Sequence, residues 1–428
     1  MRRGIAIAVT VALCACGSKK RQHRTGDAAP VEPISIPTSA DGGPAGTRSD
    51  EVEPNDGDDV AMPLALGGTI HGRIEPENDA DYYRVDIPAA GALAIDVSAV
   101  ENTDLTLDLL DGSGTVLARS DRGTVKTREG IANFGVTAGR YTAVVRGKKV
   151  VTKTGKRGKG ASVAQAAVLP YDITASVLPP AANAEREPDD DRGTANDLIV
   201  GDPVTGFIGW AGDTDVWKLS VETLSAKNSL DIEISAIENV AFTLELADGV
   251  GQVIVTRKAP RDAGLTLRGL IPVLPAGASP FHYLTIKGTP SNPESAYTLR
   301  VLAKNPEPDT EVEPDDTLEK PMGIPADRTV VHGQWSPGDI DCFAVAPDPA
   351  ARTIDAHIET PSEADLSVEL IVDGKVVSKS DQKGKGAAEK VTGAVPANGH
   401  AIVRIRGTDA SGEGLYDLKL SEGPAAPP

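Results

Sequence analysis

Glu51-Val52-Glu53-Pro54-Asn55-Asp56 decides the architecture, because the chain carries it three times. It recurs as Glu185-Arg186-Glu187-Pro188-Asp189-Asp190 and as Glu311-Val312-Glu313-Pro314-Asp315-Asp316, 134 and then 126 residues further on. An Asp-x-Asp follows each copy, at Asp79-Ala80-Asp81, Asp213-Thr214-Asp215 and Asp339-Ile340-Asp341. From the second Glu to the last Asp the step is 28 residues in every copy, a register that chance does not hold three times. Self-similarity at a fixed long period marks a repeated structural unit.

Outward from the motifs, the rest of each unit repeats as well. Gly72, Gly206 and Gly333 lie between the two acidic stretches. Tyr83, Trp217 and Phe343 sit two residues after the last Asp, with Val85, Leu219 and Val345 two further on. That is period-2 alternation, a strand with one buried face. The same alternation runs through Leu93–Val97, Leu230–Ile234 and Ile354–Ile358, and Asp111-Gly112, Asp248-Gly249 and Asp373-Gly374 are hairpin signals. Closing strands are expected at Thr142–Val145, Tyr283–Ile286 and Ile402–Ile405, each followed by a last strand opening at Tyr171, Tyr297 or Tyr416. Many short strands and no long helical period predict an all-β chain of three tandem β-sandwich domains, over 51–178, 185–302 and 311–422. Pro179-Pro180 and Pro306-Glu307-Pro308 read as linkers, and Tyr83, Trp217, Phe343 and Trp335 as core.

Composition narrows the function classes. The 428 residues suit two to four domains, and Gly and Pro together, about 18%, make a turn-rich yet globular chain. Three cysteines cannot build a disulfide framework, and a net charge of −19 argues against nucleic acid, which needs clustered Lys and Arg. Cations or basic partners fit that charge. The chain opens Met1-Arg2-Arg3, runs apolar from Ile5 and reaches Leu13-Cys14-Ala15-Cys16. The run is of signal-peptide length and resembles a bacterial lipoprotein signal, with 1–15 removed and Cys16 lipidated. Loss of Arg2 and Arg3 takes the net charge from −19 to −21. Residues 16–50, rich in Ala, Pro, Gly, Ser, Thr and Asp, cannot bury enough apolar surface to fold and read as a disordered, flexible tether. Lipid anchoring to a bacterial membrane places the chain in the cell envelope, at the outer membrane or cell surface.

The repeated Glu-x-Glu-Pro-[Asn/Asp]-Asp, the Gly, the Asp-x-Asp and the alternation after it resemble the bacterial pre-peptidase C-terminal domain, a jelly-roll-like β-sandwich module similar to the collagen-binding domains of clostridial collagenases. The resemblance covers about 51–422. It implies calcium, held between the acidic N-terminal segment and the later Asp loop. The implied ligand sets are Glu51, Glu53, Asn55, Asp56, Asp79 and Asp81; Glu185, Glu187, Asp189, Asp190, Asp213 and Asp215; and Glu311, Glu313, Asp315, Asp316, Asp339 and Asp341. Physical chemistry agrees, because like charges packed at one place demand a counter-ion and a hard cation takes six to eight oxygens. Solvated turn residues are the alternative, since Asp and Asn favour turns.

Other signals are weaker. No Gly-x-Ser-x-Gly, phosphate loop, zinc motif or dinucleotide fingerprint is present. The six histidines show no metal spacing and read as structural or exposed, Cys342 as an unpaired thiol inside a strand, and Trp210, with no aromatic counterpart, as the one aromatic considered for ligand contact. Lys148, Lys149, Lys153, Lys156, Arg157 and Lys159 cluster in an insertion peculiar to the first copy and form a candidate contact for anionic polymers. The expectation is a non-catalytic envelope protein binding calcium and a protein or polysaccharide partner. A carboxylate-dependent hydrolase and a passive spacer are the alternatives; triplication disfavours the first, because repeated binding modules gain avidity whereas three copies of an active site gain little.

Overall fold

A computed structural model describes residues 48–425, apart from 77, 102, 124, 149–168, 182, 223, 225–226, 273–279 and 408–411. The signal segment, Cys16, most of the tether and Lys149, Lys153, Lys156, Arg157 and Lys159 lie outside the described residues.

Every regular element among the described residues is a strand, as the sequence pattern requires. The first module has two five-stranded sheets. One runs Arg48–Asp50, Thr69–Gly72, Tyr171–Leu178, Gly91–Val97, Glu129–Val136, and the other Met62–Pro63, Ala80–Ile87, Gly139–Lys148, Asp104–Leu110, Val116–Ser120. The second module repeats this order with Val204–Gly206, Tyr297–Lys304, Ser229–Ile234 and Leu265–Leu270 in one sheet. Its other sheet holds Asn196–Leu198, Thr214–Ser220, Phe281–Thr289, Ala241–Ala247 and Val253–Ala259. The third does so with Val330–Trp335, Gly414–Pro424, Arg352–Glu359 and Glu389–Val395 against Met322–Ile324, Ile340–Val345, Ala401–Gly407, Leu366–Val372 and Lys375–Ser380.

Alternation drives this packing. Ala80–Ile87 and Gly91–Val97 bury every second residue, so Tyr83, Val85, Leu93 and Ile95 meet between the sheets at 0% exposure. Trp217 and Phe343 hold the same place in their own cores. Each such side chain removed from water contributes roughly 1.5–3 kcal/mol, which makes these contacts the main cohesive force of each module.

The three Asp-Gly hairpins differ. In the third, Asp373 and Gly374 both take positive φ, 45° and 77°, as a two-residue primed turn requires. In the first two the aspartate instead closes a longer loop with its side chain. Asp111 Oδ1 accepts from the amides of Ser113 and Thr115, both at 2.9 Å, and Asp248 Oδ1 from those of Val250, Gly251 and Gln252. An aspartate that mimics a backbone turn in this way relaxes the need for a two-residue loop.

Successive modules are joined through the repeated motif itself. The Gly135 amide donates to Glu187 O at 2.8 Å, so the second motif adds to the outer strand Glu129–Val136 of the first module. The third motif does the same on Leu265–Leu270, where Ile271 N donates to Glu313 O at 2.8 Å and Glu313 N to Gly269 O at 3.1 Å. Each later acidic cluster therefore lies at a junction.

Candidate metal centres

The acidic motif is held by the same backbone contacts in all three copies. Glu51 N donates to His71 O at 2.9 Å, Glu185 N to Thr205 O at 2.8 Å and Glu311 N to His332 O at 2.9 Å, which pins the segment beside the strand carrying the repeated glycine. The first glutamate of each motif then accepts from that strand's continuation: Arg73 N at 2.6 Å, Phe207 N at 2.8 Å, Gln334 N at 2.7 Å. The second glutamate folds over a cis Glu-Pro bond and accepts from the amide two residues on, Asn55 N, Asp189 N or Asp315 N. Main-chain donors thus fix one oxygen of each glutamate; the other lacks a partner in Glu185 and Glu187, but accepts from the Tyr83 hydroxyl in Glu51, from the Tyr416 hydroxyl in Glu311 and from Arg257 in Glu313.

The second half of each centre comes from the Asp-x-Asp. Its first aspartate caps its own loop: Asp79 accepts from Glu75 N at 2.8 Å and Ala80 N at 2.9 Å, and Asp339 from Ile340 N at 2.9 Å. Its second aspartate lies on a buried strand and receives the hydroxyl of the tyrosine that opens the last strand, Tyr171 to Asp81, Tyr297 to Asp215 and Tyr416 to Asp341. Gly72, Gly206 and Gly333 make room for those tyrosines, since a Cβ at any of the three would collide with the phenol ring. The repeated glycine and the repeated tyrosine are one device.

Carboxylate oxygens converge as a result. Those of Glu51, Glu53 and Asp81 lie within 4.8 Å of one another, as do those of Glu185, Glu187 and Asp215. In the third module two such groups form, Glu311 with Asp315 and Asp341, and Glu313 with Asp316 and Asp339. Two oxygens that each sit about 2.4 Å from one calcium ion can be no more than about 4.8 Å apart, so the spacing suits a hard cation. Many facing atoms also lack any hydrogen-bond partner: Asp81 Oδ1 and both side-chain polar atoms of Asn55 in the first centre, and Glu185 Oε2, Glu187 Oε1, Asp189 Oδ1, Asp213 Oδ1 and Asp215 Oδ1 in the second. Both oxygens of Asp315, with Asp341 Oδ1, complete the set in the third. Buried carboxylate oxygens are seldom left so, and a ligand that fills six to eight oxygen sites would satisfy them together.

The electrostatics agree with that geometry. Burial pushes the Asp81 carboxyl up to about 8, helped by Glu51, Asp79 and Glu53. In the second centre burial, and then the neighbouring carboxylates, raise Glu187 to about 11, Asp189 to about 8 and Asp213 to about 7, with Glu185 and Asp215 also far above their ordinary values. The third centre behaves likewise at Glu311, Asp315, Asp339 and Asp341. A positive charge placed among these groups would reverse the shifts.

Asp56 and Asp190 are exposed at the surface and stand outside the tight groups. Asn55, Asp79, Asp189 and Asp213 are buried around them. The tyrosines and one further residue, Arg257, belong to the centres without having been singled out in the sequence. Arg257, on Val253–Ala259 of the second module and 1% exposed, reaches Glu313, Asp316 Oδ1 (3.1 Å) and Asp339 Oδ1 (2.6 Å) of the third. The tyrosines recur in every copy and could have been read as partners; Arg257 does not recur.

Trp210 corrects an expectation. It is 8% exposed and belongs to the first module's core cluster, its ring centroid 6.0 Å from that of Phe134, so it is a plug between modules and not a free ligand platform. Cys342 is fully buried in Ile340–Val345 and unpaired, with burial pushing its thiol up to about 11. His71 and His332 pair with Asp172 and Asp417. Lys148, the described member of the basic cluster, is exposed and paired with Asp121.

Comparison with known families covers the Asp79 and Asp81 side of the first centre and not Glu51 or Glu53. Residues 79–147 match the bacterial pre-peptidase C-terminal domain. That stretch starts at Asp79 and runs through the closing strand Gly139–Lys148 of the first module. No curated protein matches the chain. Among solved structures, the pre-peptidase C-terminal domain of a Bacillus anthracis collagenase is similar at 18% identity, covering 27% of this chain and 94% of that one with a TM-score of 0.21. A tandem CBM22 pair of Paenibacillus barcinonensis Xyn10C covers 49% of this chain and 83% of its own at 12% identity and a TM-score of 0.17. An uncharacterized protein from Burkholderia cenocepacia covers 53% and 77%, also at 12% identity and 0.17.

Proposed function

We propose that the chain is a non-catalytic, lipid-anchored cell-envelope protein whose repeated β-sandwich modules bind calcium and present a surface to a protein or polysaccharide partner. The observation that carries the calcium reading is the threefold recurrence of buried carboxylate oxygens, oriented by main-chain amides and a tyrosine and left without partners. Glu51, Glu53 and Asp81 would hold the ion in the first centre, Glu185, Glu187 and Asp215 in the second, and Glu311, Asp315 and Asp341 in the third. A bound ion would supply the charge that lets these acids ionise while buried. It would also tie the N-terminal motif of a module to its Asp-x-Asp loop.

The non-catalytic reading draws on the domain family matched by residues 79–147 and on burial. Glu185, Glu187, Asp213 and Asp215 are each 3% exposed or less, which suits a small ion better than an acid–base pair working on a polymer. Anchoring draws on the lipoprotein-like run ending at Cys16. Changing Cys16→Ser should move the protein out of the membrane fraction or leave its precursor uncleaved; fractionation identical to the parent protein would refute the anchor. For calcium the test is thermal unfolding in EDTA and in calcium for the parent chain and for Asp79→Ala/Asp81→Ala. The first centre's share of the calcium-dependent stabilisation should vanish in the variant while the chain stays folded, and a parent chain that melts identically in both media would return the motifs to solvated turns.

A further inference from the structure

The three centres differ in where their positive charge can come from. Strand pairing aligns Ser120, Arg257 and Ser380 as equivalent positions, because they face Leu107, Leu244 and Val368, which in turn face the residues opposite Asp81, Asp215 and Asp341. In the first module Ser120 is spent locally: its hydroxyl donates to Glu129 Oε2 at 2.6 Å, at the first junction's own strand. In the second module leucine, Leu265, stands where Glu129 stands, and arginine replaces the serine. With only the Thr256 carbonyl as a partner in its own module, at 3.1 Å, and no carboxylate there, the Arg257 guanidinium crosses the junction into the third centre.

There it is fully enclosed. Burial works against its charge, yet Glu313, Asp339 and Asp316 more than offset that and hold it firmly protonated. Those three carboxylates are one of the two convergent groups of the third centre; the other, Glu311, Asp315 and Asp341, keeps unpaired oxygens on Asp315 and Asp341. At the first junction the crossing guanidiniums, Arg122 and Arg128, go to Glu294 at 3.5 and 2.9 Å, which is not a member of the acidic centre. Oxygens of Glu185, Glu187, Asp189, Asp213 and Asp215 there lack partners and face burial first and then one another's charge. Yet Glu187 and Glu185 are also the residues whose carbonyls are bonded to Gly135 and Asn133 of the first module.

We propose that the chain has two kinds of junction: Arg257 is the resident cation of the third centre and locks the second module to the third, whereas the first junction is closed by a divalent cation among Glu185, Glu187 and Asp215. The metal half rests on the calcium reading above; the arginine half does not. The third centre then takes one metal ion beside its guanidinium. Divalent cation then adds to the Trp210 contact in coupling the first module to a permanently joined pair. A guanidinium and a divalent ion can exchange this role because both satisfy several carboxylates at once, the former through forked hydrogen bonds.

The test uses the full chain with spin labels, carried on an unnatural amino acid, at the exposed hairpin positions Val116, Val250 and Val376. Pulsed electron resonance then gives distance distributions in EDTA and in about 10 mM calcium, in the range where extracellular calcium modules fill. The Val250–Val376 distribution should be narrow in both media, and Val116–Val250 should be narrower in calcium than in EDTA. In EDTA, Arg257→Met should broaden Val250–Val376 about twofold or more, and Arg257→Met/Glu313→Gln, which leaves less uncompensated charge, should do the same. An unchanged Val250–Val376 width in the double variant overturns the arginine lock. So does a parent Val250–Val376 width that responds to calcium as strongly as Val116–Val250. If calorimetry shows calcium uptake while Val116–Val250 stays fixed, the metal-closed junction is overturned; if it shows no uptake at all, the calcium reading itself has failed and the arginine result stands alone.

Discussion

Replacing Trp210 by alanine removes a side chain that belongs to the second module by sequence and to the first by packing. At 8% exposure it has surrendered nearly all its surface, and a tryptophan buries about 150–250 Å², or roughly 4–6 kcal/mol at about 25 cal/mol per Å². Core Trp→Ala substitutions cost about 3–5 kcal/mol, so the two routes agree on about 4 kcal/mol. The loss should fall on the coupling between modules, because the indole contacts Phe134 and the first core while its backbone sits in the loop before Asp213. At about 2–4 °C per kcal/mol for a unit of 150–250 residues, the transition of the coupled first and second modules should drop by roughly 8–16 °C. Differential scanning calorimetry of the full chain, checked by urea titration, reads this directly. The first two modules should also separate into distinct transitions. Trp210→Phe, which keeps most of the apolar contact, should recover more than half of the loss. A cost below about 1 kcal/mol for Trp210→Ala would refute the plug and reopen Trp210 as a surface residue.

Three further outcomes follow, two from buried polar groups and one from a close approach of backbone to ring. Burial pushes the Glu129 carboxyl up to about 7, against an ordinary value of 4.5, so the unfolded chain gives up this proton before the folded one does. The first module should therefore lose stability relative to Glu129→Gln as pH rises from about 4.5 to 7, with the penalty full above that window and absent below it; melting curves of the two proteins across this range check the sign. Tyr297→Phe removes the hydroxyl that donates to Asp215 and accepts from Trp217 Nε1 at 2.9 Å, and should cost about 1.5–3 kcal/mol by urea titration. It should also weaken calcium's stabilising effect. Gly333→Ala drives a methyl into the Tyr416 ring and should lower the third module's melting transition severely, whereas Gly323→Ala, with open space around it, should change little.

Much of this was legible in the sequence because it repeats. Period-2 alternation located Ala80–Ile87, Gly91–Val97 and their counterparts, since a half-buried strand must present apolar residues on one face only. The fixed 28-residue step brought Glu53 and Asp81, and Glu187 and Asp215, into common groups, while in the third copy Asp341 joins Glu311 and Glu313 joins Asp339. What failed to show was whatever depends on neighbouring modules. Trp210 looked like a solitary aromatic near an acidic loop, because nothing local says that its ring fills the preceding module's core. Arg257 looked like one more polar residue on an outer strand, because its partners lie 56 to 82 residues downstream in another unit. The tyrosines were visible as strand openers, but their hydroxyl bonds to Asp81, Asp215 and Asp341 depend on how the two sheets face each other. Asp56 and Asp190 are exposed and lie outside the tightest groups, whereas their counterpart Asp316 joins one with Glu313 and Asp339, a difference the shared motif does not show.

Calorimetric titration of the metal-stripped full chain with calcium tests the central claim most directly. With dissociation constants of about 10⁻⁴ to 10⁻³ M, usual for extracellular modules, about 10 mM calcium should add roughly 1.4–2.7 kcal/mol per filled centre. The account predicts saturable calcium uptake at more than one centre, weaker binding of magnesium, and loss of one centre's share on Glu185→Gln/Asp215→Asn. A titration that releases no binding heat at any temperature tried, with identical melting in EDTA and in calcium, would contradict it.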